Sequence, residues 1–228
     1  MKSLVKLLVI VLFINLVPES FAQSFGVKAG FNLSNMLMKD NEEDYSNDFS
    51  MKPGFHIGGT FELPISKVFA FETGLLFTTK GFKYNDKESF EGDTYEFNAS
   101  YNLFYFDIPI MAKAYLDAGG AKLYGAFGPY LGVGVAGNIY TEYIMNDDSD
   151  VETEDIEWGN DEDNELKRLD YGLGFGAGVE YKSMVFGVSY NLGLANVSSY
   201  LDDGATMKNK VLGFSLAYKF GGKKTDKE

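Results

Sequence analysis

The stretch DYGLGFGAGVEY, residues 170–181, has glycine at every second position from Gly172 to Gly178. Large or apolar residues stand between most of these glycines, so an extended chain would carry bulky side chains on one face and leave the other nearly empty. A nucleotide-binding glycine loop opens a helix, whereas the residues that follow, VEYKSMVFGVSYNL (179–192), predict a second strand after a two-residue turn. The stretch therefore predicts a β-strand with one glycine face.

The same alternation recurs along the chain. In SFGVKAGFNL (24–33) the residues Phe25, Val27 and Phe31 share one face, and small or polar residues occupy the other. Together with 169–181, the alternating runs predict eight strands, which also include 24–33, 54–63, 68–81, 100–116, 121–136, 184–194 and 208–220. Most of these runs reach the about 9–11 residues that a tilted strand needs to cross a bilayer.

Short and long connections alternate between the predicted strands. The short connections are PISK (64–67), DAGG (117–120) and KS (182–183), and the two glycines of DAGG can adopt the positive φ that a hairpin turn requires. The long connections are acidic, since 24 of the 33 Asp and Glu residues lie in 34–51, 82–99, 137–168 and 195–207. In an outer-membrane barrel such an alternation places short turns in the periplasm and long loops outside the cell.

The chemistry of the two strand faces separates a membrane barrel from a soluble one. The polar face is mostly glycine, alanine and serine, which is not typical of a solvated surface. The bulky faces carry more apolar side chains than an eight-stranded barrel interior can hold, so they are expected to face lipid. The sequence predicts an all-β, eight-stranded antiparallel up-and-down transmembrane β-barrel with long acidic extracellular loops and short periplasmic turns. A soluble periplasmic β-barrel that binds an apolar ligand is the alternative.

The N-terminal residues predict export. A basic start is followed by the apolar run LLVIVLFINLV (7–17), and SFA ends at Ala22 with the small residues that a signal peptidase reads. We therefore predict a signal peptide at 1–22 with cleavage after Ala22, a barrel domain at 23–220, and a polar tail at 221–228. The expected location is the cell outer membrane.

Composition excludes several kinds of function. The absence of cysteine rules out a disulfide framework, a Cys-ligated zinc site and a thiol nucleophile. A formal net charge of -13 argues against nucleic acid as a partner. His56 is the only histidine, so any Ser-His pair must use it; Ser50 and Ser66 are conceivable partners, but their spacing does not require this, and no G-x-S-x-G elbow is present. We predict no enzymatic activity, no cofactor and no specific metal site.

Charged residues on the small-residue faces are the candidate lumenal residues. These are Lys28, His56, Glu62, Glu72, Asp107, Lys113, Asp170 and Glu180. They could form a polar path for ions through the lumen, or a proton relay. The favoured interpretation is a packed interior in which Lys28 and Lys113 pair with carboxylates, because isolated charges in a narrow lumen are costly. Interior glycines would make room for the longer charged side chains.

The most acidic connection, 137–168, is predicted to be a solvated, mobile extracellular loop. Calcium binding is a weaker alternative, in which carboxylates at alternate positions would be the ligands: Asp148, Asp150, Glu152 and Glu154. The spacing fails the EF-hand pattern, because Thr153 stands where that loop needs glycine. Trp158, the only tryptophan, could pack within this loop or contact a partner.

Four stretches carry a resemblance to a known family. In order, they are FYFDIPIMAKAYL (104–116), GAFGPYLGVGV (125–135), LDYGLGFGAGVEY (169–181) and SYNLGLANV (189–197). They resemble successive strands of the PorT-like outer-membrane β-barrel family of Bacteroidetes, whose members are often called porin family proteins. The likeness covers about Phe25 to Phe220 and implies an outer-membrane, eight-stranded barrel; the namesake of the family is associated with protein secretion.

The chain departs from the usual barrel ending. Outer-membrane barrels commonly end on an aromatic residue that the β-barrel assembly machinery reads, whereas this chain continues past Phe220 with GGKKTDKE. Phe220 would have to serve as this assembly signal from an internal position in the chain.

Two functions in the membrane follow as hypotheses. The first is a structural or interaction barrel, expected to be monomeric, that displays acidic loops and serves a secretion or envelope partner. The second is a small porin-like channel for ions or tiny solutes.

Overall fold

The structure is a computed structural model that describes residues 23–90, 93–146, 148–161 and 163–221. Within them the chain forms one 3-10 turn, at Asp202–Gly204, and eleven strands: β1 (Ser24–Lys39), β2 (Phe49–Ser50), β3 (Lys52–Pro64), β4 (Phe69–Lys80), β5 (Lys83–Phe90), β6 (Asp93–Asp117), β7 (Ala121–Met145), β8 (Asp148–Asp155), β9 (Leu169–Tyr181), β10 (Met184–Gly193) and β11 (Thr206–Phe220). The predicted signal peptide and nearly all of the predicted tail lie outside the described residues.

Eight of these strands close a barrel. The ring runs β1-β3-β4-β6-β7-β9-β10-β11, every neighbouring pair is antiparallel, and β11 returns to β1 with Phe220 opposite Phe25. Each of the eight alternating runs of the sequence corresponds to one of these strands. The predicted eight-stranded, up-and-down barrel is confirmed.

The three short turns lie at one end of the barrel, together with the start of β1 and the end of β11. They join β3 to β4, β6 to β7 and β9 to β10. In the second of them Gly119 and Gly120 have φ values of 71° and 104°, as the sequence predicted. We call this the periplasmic end and the opposite one the outer end, following the usual arrangement of outer-membrane barrels.

The outward face of the ring is apolar. Large side chains with at least a third of their surface exposed occur on all eight ring strands; examples are Val27, Phe55, Leu75, Phe106, Phe127, Phe175, Phe186 and Phe214. Soluble proteins rarely expose a continuous apolar surface of this kind, whereas a barrel in lipid requires it. The predicted lipid-facing side is therefore confirmed. No helix among the described residues is long and apolar enough to cross a membrane.

At the outer end, β6 and β7 continue well beyond the barrel. Each has 25 residues, more than twice the about 9–11 that cross a bilayer. Their outer halves pair with β5 and β8, and β2 adds a short edge, which gives the order β2-β5-β6-β7-β8. We call this five-stranded extension the outer sheet.

The outer sheet changes the interpretation of the acidic connections. The stretches 82–99 and 137–168 contain strands rather than only loop residues, and 34–51 contains the end of β1 as well as β2. Their acidity misled the prediction because β8 lies at an exposed edge, where all eight of its residues contact solvent. Charged side chains on edge strands are common because they discourage unwanted strand pairing.

A β-bulge separates the barrel from the outer sheet. The pairing of β6 with β7 shifts from Tyr105 opposite Gly134 to Phe104 opposite Ala136, so Val135 is an extra residue on β7. The shift exchanges the inward and outward positions of β7. Below it the outward side chains are apolar, and above it the outward positions include Asn102 and Asn138. We infer from this reversal that the barrel leaves the lipid near this level.

An apolar cluster closes the outer end of the barrel. It comprises Met36, Phe82, Leu103, Tyr105, Ile156, Leu166, Ala195 and Val197, none more than 6% exposed. We call it the cap. Its segment 156–168 is tied to the barrel by backbone hydrogen bonds, including Ile156 N to Gly137 O and Lys167 N to Val197 O. Ile156 and Leu166 are therefore packed in the cap, whereas the prediction placed them in a solvated, mobile loop.

Candidate functional site

The eight residues that the alternation placed inside the barrel all line its interior. His56, Glu62, Glu72, Asp107, Lys113 and Asp170 are buried, and Lys28 and Glu180 join them through ion pairs. The structure adds two lysines that the sequence analysis did not select, Lys80 and Lys219. Both follow from the same alternation, since Lys80 is eight positions after Glu72 on β4.

Three lysines and three glutamates form a cluster in the periplasmic half of the lumen. The ammonium of Lys113 lies 2.9 Å from both Glu62 and Glu72. Lys28 lies 2.7 Å from Glu72, and Lys219 pairs with Glu62 at 2.8 Å and also with Glu180. The predicted pairing of Lys28 and Lys113 with carboxylates is confirmed. We call this set the inner cluster.

A second ion-pair cluster lies nearer the outer end and is centred on Lys80. Its ammonium lies 2.9 Å from Asp107 and 2.8 Å from Asp170. Asp170 also accepts hydrogen bonds from Asn209 Nδ2 at 2.9 Å and from the Tyr130 hydroxyl. The Asp170 side chain is 0% exposed, so each of these donors replaces water that the carboxylate has lost. We call this set the outer cluster.

A small cavity lies between the two clusters. Its volume is about 90 Å³, and its lining includes Lys28 and Glu72 on one side and Asp107 and Tyr130 on the other. A polar cavity of this size holds only a small number of water molecules. It is closed toward the outer end by the outer cluster and the cap.

His56 borders this cavity and is satisfied by hydrogen bonding. Its Nδ1 lies 2.8 Å from Asn32 Oδ1, and Asn32 donates in turn to Thr78 Oγ1 at 2.9 Å. Ser66 is instead in the β3–β4 turn, where its hydroxyl accepts hydrogen bonds from two backbone amides. Ser50 is in β2, paired with Lys83 of the outer sheet. The structure does not bring either serine to His56.

The inner-face glycines make room for large side chains. At Gly132 the neighbours are Asp107 and Lys80, as the sequence analysis expected of interior glycines. At Gly172 and Gly178 the space is instead occupied by the rings of tyrosines, Tyr130 and Tyr124 respectively. The glycines of β9 thus allow tyrosines of β7 to lie across the lumen.

The carboxylates considered for calcium alternate along β8. Asp148, Asp150, Glu152 and Glu154 lie on one face of this exposed strand. Across the described parts of the chain, no group of three or more acidic or histidine side chains converges as a metal site would require. Trp158 leaves the acidic surface and packs edge-on against Tyr105 of the cap, with 5.7 Å between the ring centroids.

Comparison with known proteins identifies the family. The model of the outer membrane protein beta-barrel domain family matches residues 21–199. The chain belongs to this family. Membership in the outer membrane protein beta-barrel domain family indicates the outer membrane as the location of the barrel, in agreement with the apolar outward face, and disfavours the soluble periplasmic alternative.

Three solved outer-membrane proteins are similar to this family member over most of its length. The attachment invasion locus protein Ail of Yersinia pestis, in complex with the heparin analogue sucrose octasulfate, is 14% identical, with 87% of this chain and 99% of that chain covered and a TM-score of 0.35. Neisserial surface protein A is 13% identical, with 86% and 97% covered and a TM-score of 0.40. OprG of Pseudomonas aeruginosa is 14% identical, with 88% and 97% covered and a TM-score of 0.37. No curated protein matches the sequence.

Proposed function

We propose that the protein is a closed outer-membrane barrel that presents the outer sheet to a partner protein outside the cell. The observation that carries this proposal is the continuation of β6 and β7 beyond the lipid-facing belt as a folded sheet. Strands that served only to cross the membrane would need less than half of these residues. The additional length forms an ordered surface, which suits binding better than transport.

The lumen supports the same proposal over the porin-like alternative. Lysine and glutamate charges pair within the inner cluster, and Lys80 pairs with two aspartates in the outer cluster below the cap. An eight-stranded barrel has just enough interior space for its own side chains. The paired charges and the apolar cap leave little space for a continuous aqueous path.

Finer assignments are part of the proposal. We retain the PorT-like resemblance as support for a role in secretion or envelope assembly, with the β-barrel assembly machinery as the partner in folding. We further propose a monomer embedded in outer-membrane lipid, released from its signal peptide after Ala22, without catalytic activity and without a nucleic-acid partner. The hydrogen-bonded state of the single histidine supports the absence of catalysis, and the net charge of -13 supports the absence of a nucleic-acid partner.

Cysteine labelling of intact cells tests the proposed display of the outer sheet. The natural chain has no cysteine, so each introduced thiol is unique. Ser149→Cys places a thiol on β8, and the matched control Ala118→Cys places one in the β6–β7 turn; both positions are exposed. A membrane-impermeant maleimide should label Ser149→Cys on intact cells and Ala118→Cys only after the outer membrane is permeabilised. The reverse pattern would refute the proposed function.

A further inference from the structure

We infer that the inward-facing side of the outer sheet binds an extended basic polypeptide segment. This inference rests on the proposed function, because it requires the outer sheet to lie outside the cell. It names the chemistry of the partner, which the proposed function leaves open. The binding surface is a groove of about 500 Å³ that crosses β5, β6, β7 and β8.

One row of side chains across the groove has aromatic residues between two carboxylates. Asp86 of β5 is opposite Phe97 of β6, Phe97 is opposite Tyr143 of β7, and Tyr143 is opposite Asp150 of β8. Directly opposed residues on antiparallel strands share a face, so all four side chains point to the same side. The rings of Phe97 and Tyr143 lie 4.8 Å apart, and Tyr143 is 56% exposed. The aromatic floor of the groove is therefore open to a ligand.

The next row toward the tip of the sheet repeats this arrangement. Glu88 of β5 is opposite Tyr95 of β6, which is opposite Met145 of β7, which is opposite Asp148 of β8. Tyr95 and Met145 are both exposed, at 44% and 55%. Two successive rows thus combine an apolar centre with a carboxylate at each margin, and none of the described residues that line the groove is basic.

The dimensions of the groove fit an extended chain. Its two acidic margins are three strand spacings apart, about 14 Å. A segment lying along the aromatic centre, parallel to the strands, points successive side chains toward opposite margins. Arginine or lysine at every position would then meet the carboxylates of both margins alternately. A compact ligand could satisfy only one margin at a time.

Arginine is the side chain that the groove fits best. Its guanidinium stacks on aromatic faces and pairs with carboxylates through two parallel hydrogen bonds. A metal ion is a poorer match, because the carboxylates stand on opposite margins and do not converge on one point. The tyrosine and phenylalanine floor would also add nothing to the binding of a hard cation such as calcium, which prefers oxygen ligands.

Binding of a synthetic peptide to the folded, full-length protein in nanodiscs tests the inference. The probe is a fluorescent octapeptide with arginine at every position, and its control replaces every arginine with glutamate. We expect saturable binding of the arginine peptide and none of the glutamate peptide. Tyr143→Ala should weaken binding of the arginine peptide at least fivefold, because it removes an aromatic ring on which arginine stacks. The double variant Asp86→Asn, Asp150→Asn should weaken it at least tenfold, because it removes one carboxylate from each margin.

A matched variant distinguishes the groove from general charge attraction. Asp155→Asn removes a carboxylate from β8, but Asp155 is opposite Asn138 and lies on the other face of the sheet. The affinity of the Asp155→Asn variant for the arginine peptide should stay within twofold of that of the natural protein. Equal losses for Asp155→Asn and Asp150→Asn, or no loss for Tyr143→Ala, would overturn the inference. If the peptide fails to bind while Ser149→Cys is labelled on intact cells, the groove assignment is wrong and the proposed surface display stands.

Discussion

Lys80→Met is expected to lower the free energy of unfolding of the barrel by about 3–5 kcal/mol, because it leaves two buried carboxylates without their cation. The side chains of Lys80, Asp107 and Asp170 are 2%, 8% and 0% exposed, so bulk water has little access to the carboxylates that lose the ammonium. Methionine has a similar length and introduces no new charge. The measurement is urea unfolding in detergent micelles, followed by the loss of the compact, heat-modifiable form on electrophoresis.

A surface ion pair provides the control for this substitution. Lys87 pairs with Glu96 at 3.2 Å, but the Lys87 side chain is 63% exposed. Exposed pairs contribute at most about 1 kcal/mol, so Lys87→Met should have little effect. Adding Asp107→Asn and Asp170→Asn to Lys80→Met should recover part of the stability, because the unpaired charges are then removed. Similar losses for Lys80→Met and Lys87→Met would show that the outer cluster is not a buried, dry network.

Gly178→Ala is expected to destabilise the barrel by about 1–3 kcal/mol through overpacking. A Cβ at this position would overlap the backbone oxygen of Phe186 and lie 2.7 Å from the ring of Tyr124. The backbone oxygen belongs to the neighbouring strand β10 and cannot move without disturbing the β9–β10 pairing. The same urea unfolding experiment measures the effect, and Gly172→Ala should behave similarly because its Cβ would overlap the backbone oxygen of Leu192.

Two neighbouring substitutions are the controls. At Gly176 a Cβ would meet Ala126 at an ordinary 3.5 Å, so Gly176→Ala should be neutral or slightly stabilising, because alanine restricts the unfolded chain. Phe175→Leu changes a side chain that faces lipid and should also be mild. Among the glycines of β9, the structure places the tighter contacts at Gly172 and Gly178. Greater loss from Gly176→Ala than from Gly178→Ala would contradict the register of β9.

The barrel could be predicted because its constraints are local in sequence. Alternation in stretches such as 170–181 records which side faces lipid, and the two-residue turn at Lys182 and Ser183 fixes the direction of the next strand. The outer sheet could not be predicted in the same way. The bulge at Val135 shifts the alternation of β7 by one residue, and above it Tyr143 and Met145 face inward while Asn138 and Glu142 face outward. If one alternation is assumed throughout β7, its outer half does not fit the pattern and is assigned to a loop.

The charged lumen was predictable in part. The alternation placed Lys113 and Glu72 inside, and continuing it along β4 and β11 would have added Lys80 and Lys219. The cap gave no comparable signal. Its contacts join segments far apart in sequence, such as Leu166 and Val197, and neither segment has a regular period. The position of Trp158 against Tyr105 depends on this folding of one connection over the barrel.

Planar-bilayer recording of the folded protein tests the central claim that the barrel is closed. Incorporation would be verified in the same membrane with fluorescently labelled protein. Because the paired charges of both clusters lie across the lumen and the cap covers its outer end, we predict a flat current trace in symmetric salt once protein is present. Discrete, ohmic current steps that change in size when Glu72→Gln replaces a charge of the inner cluster would contradict the closed barrel and identify a small pore.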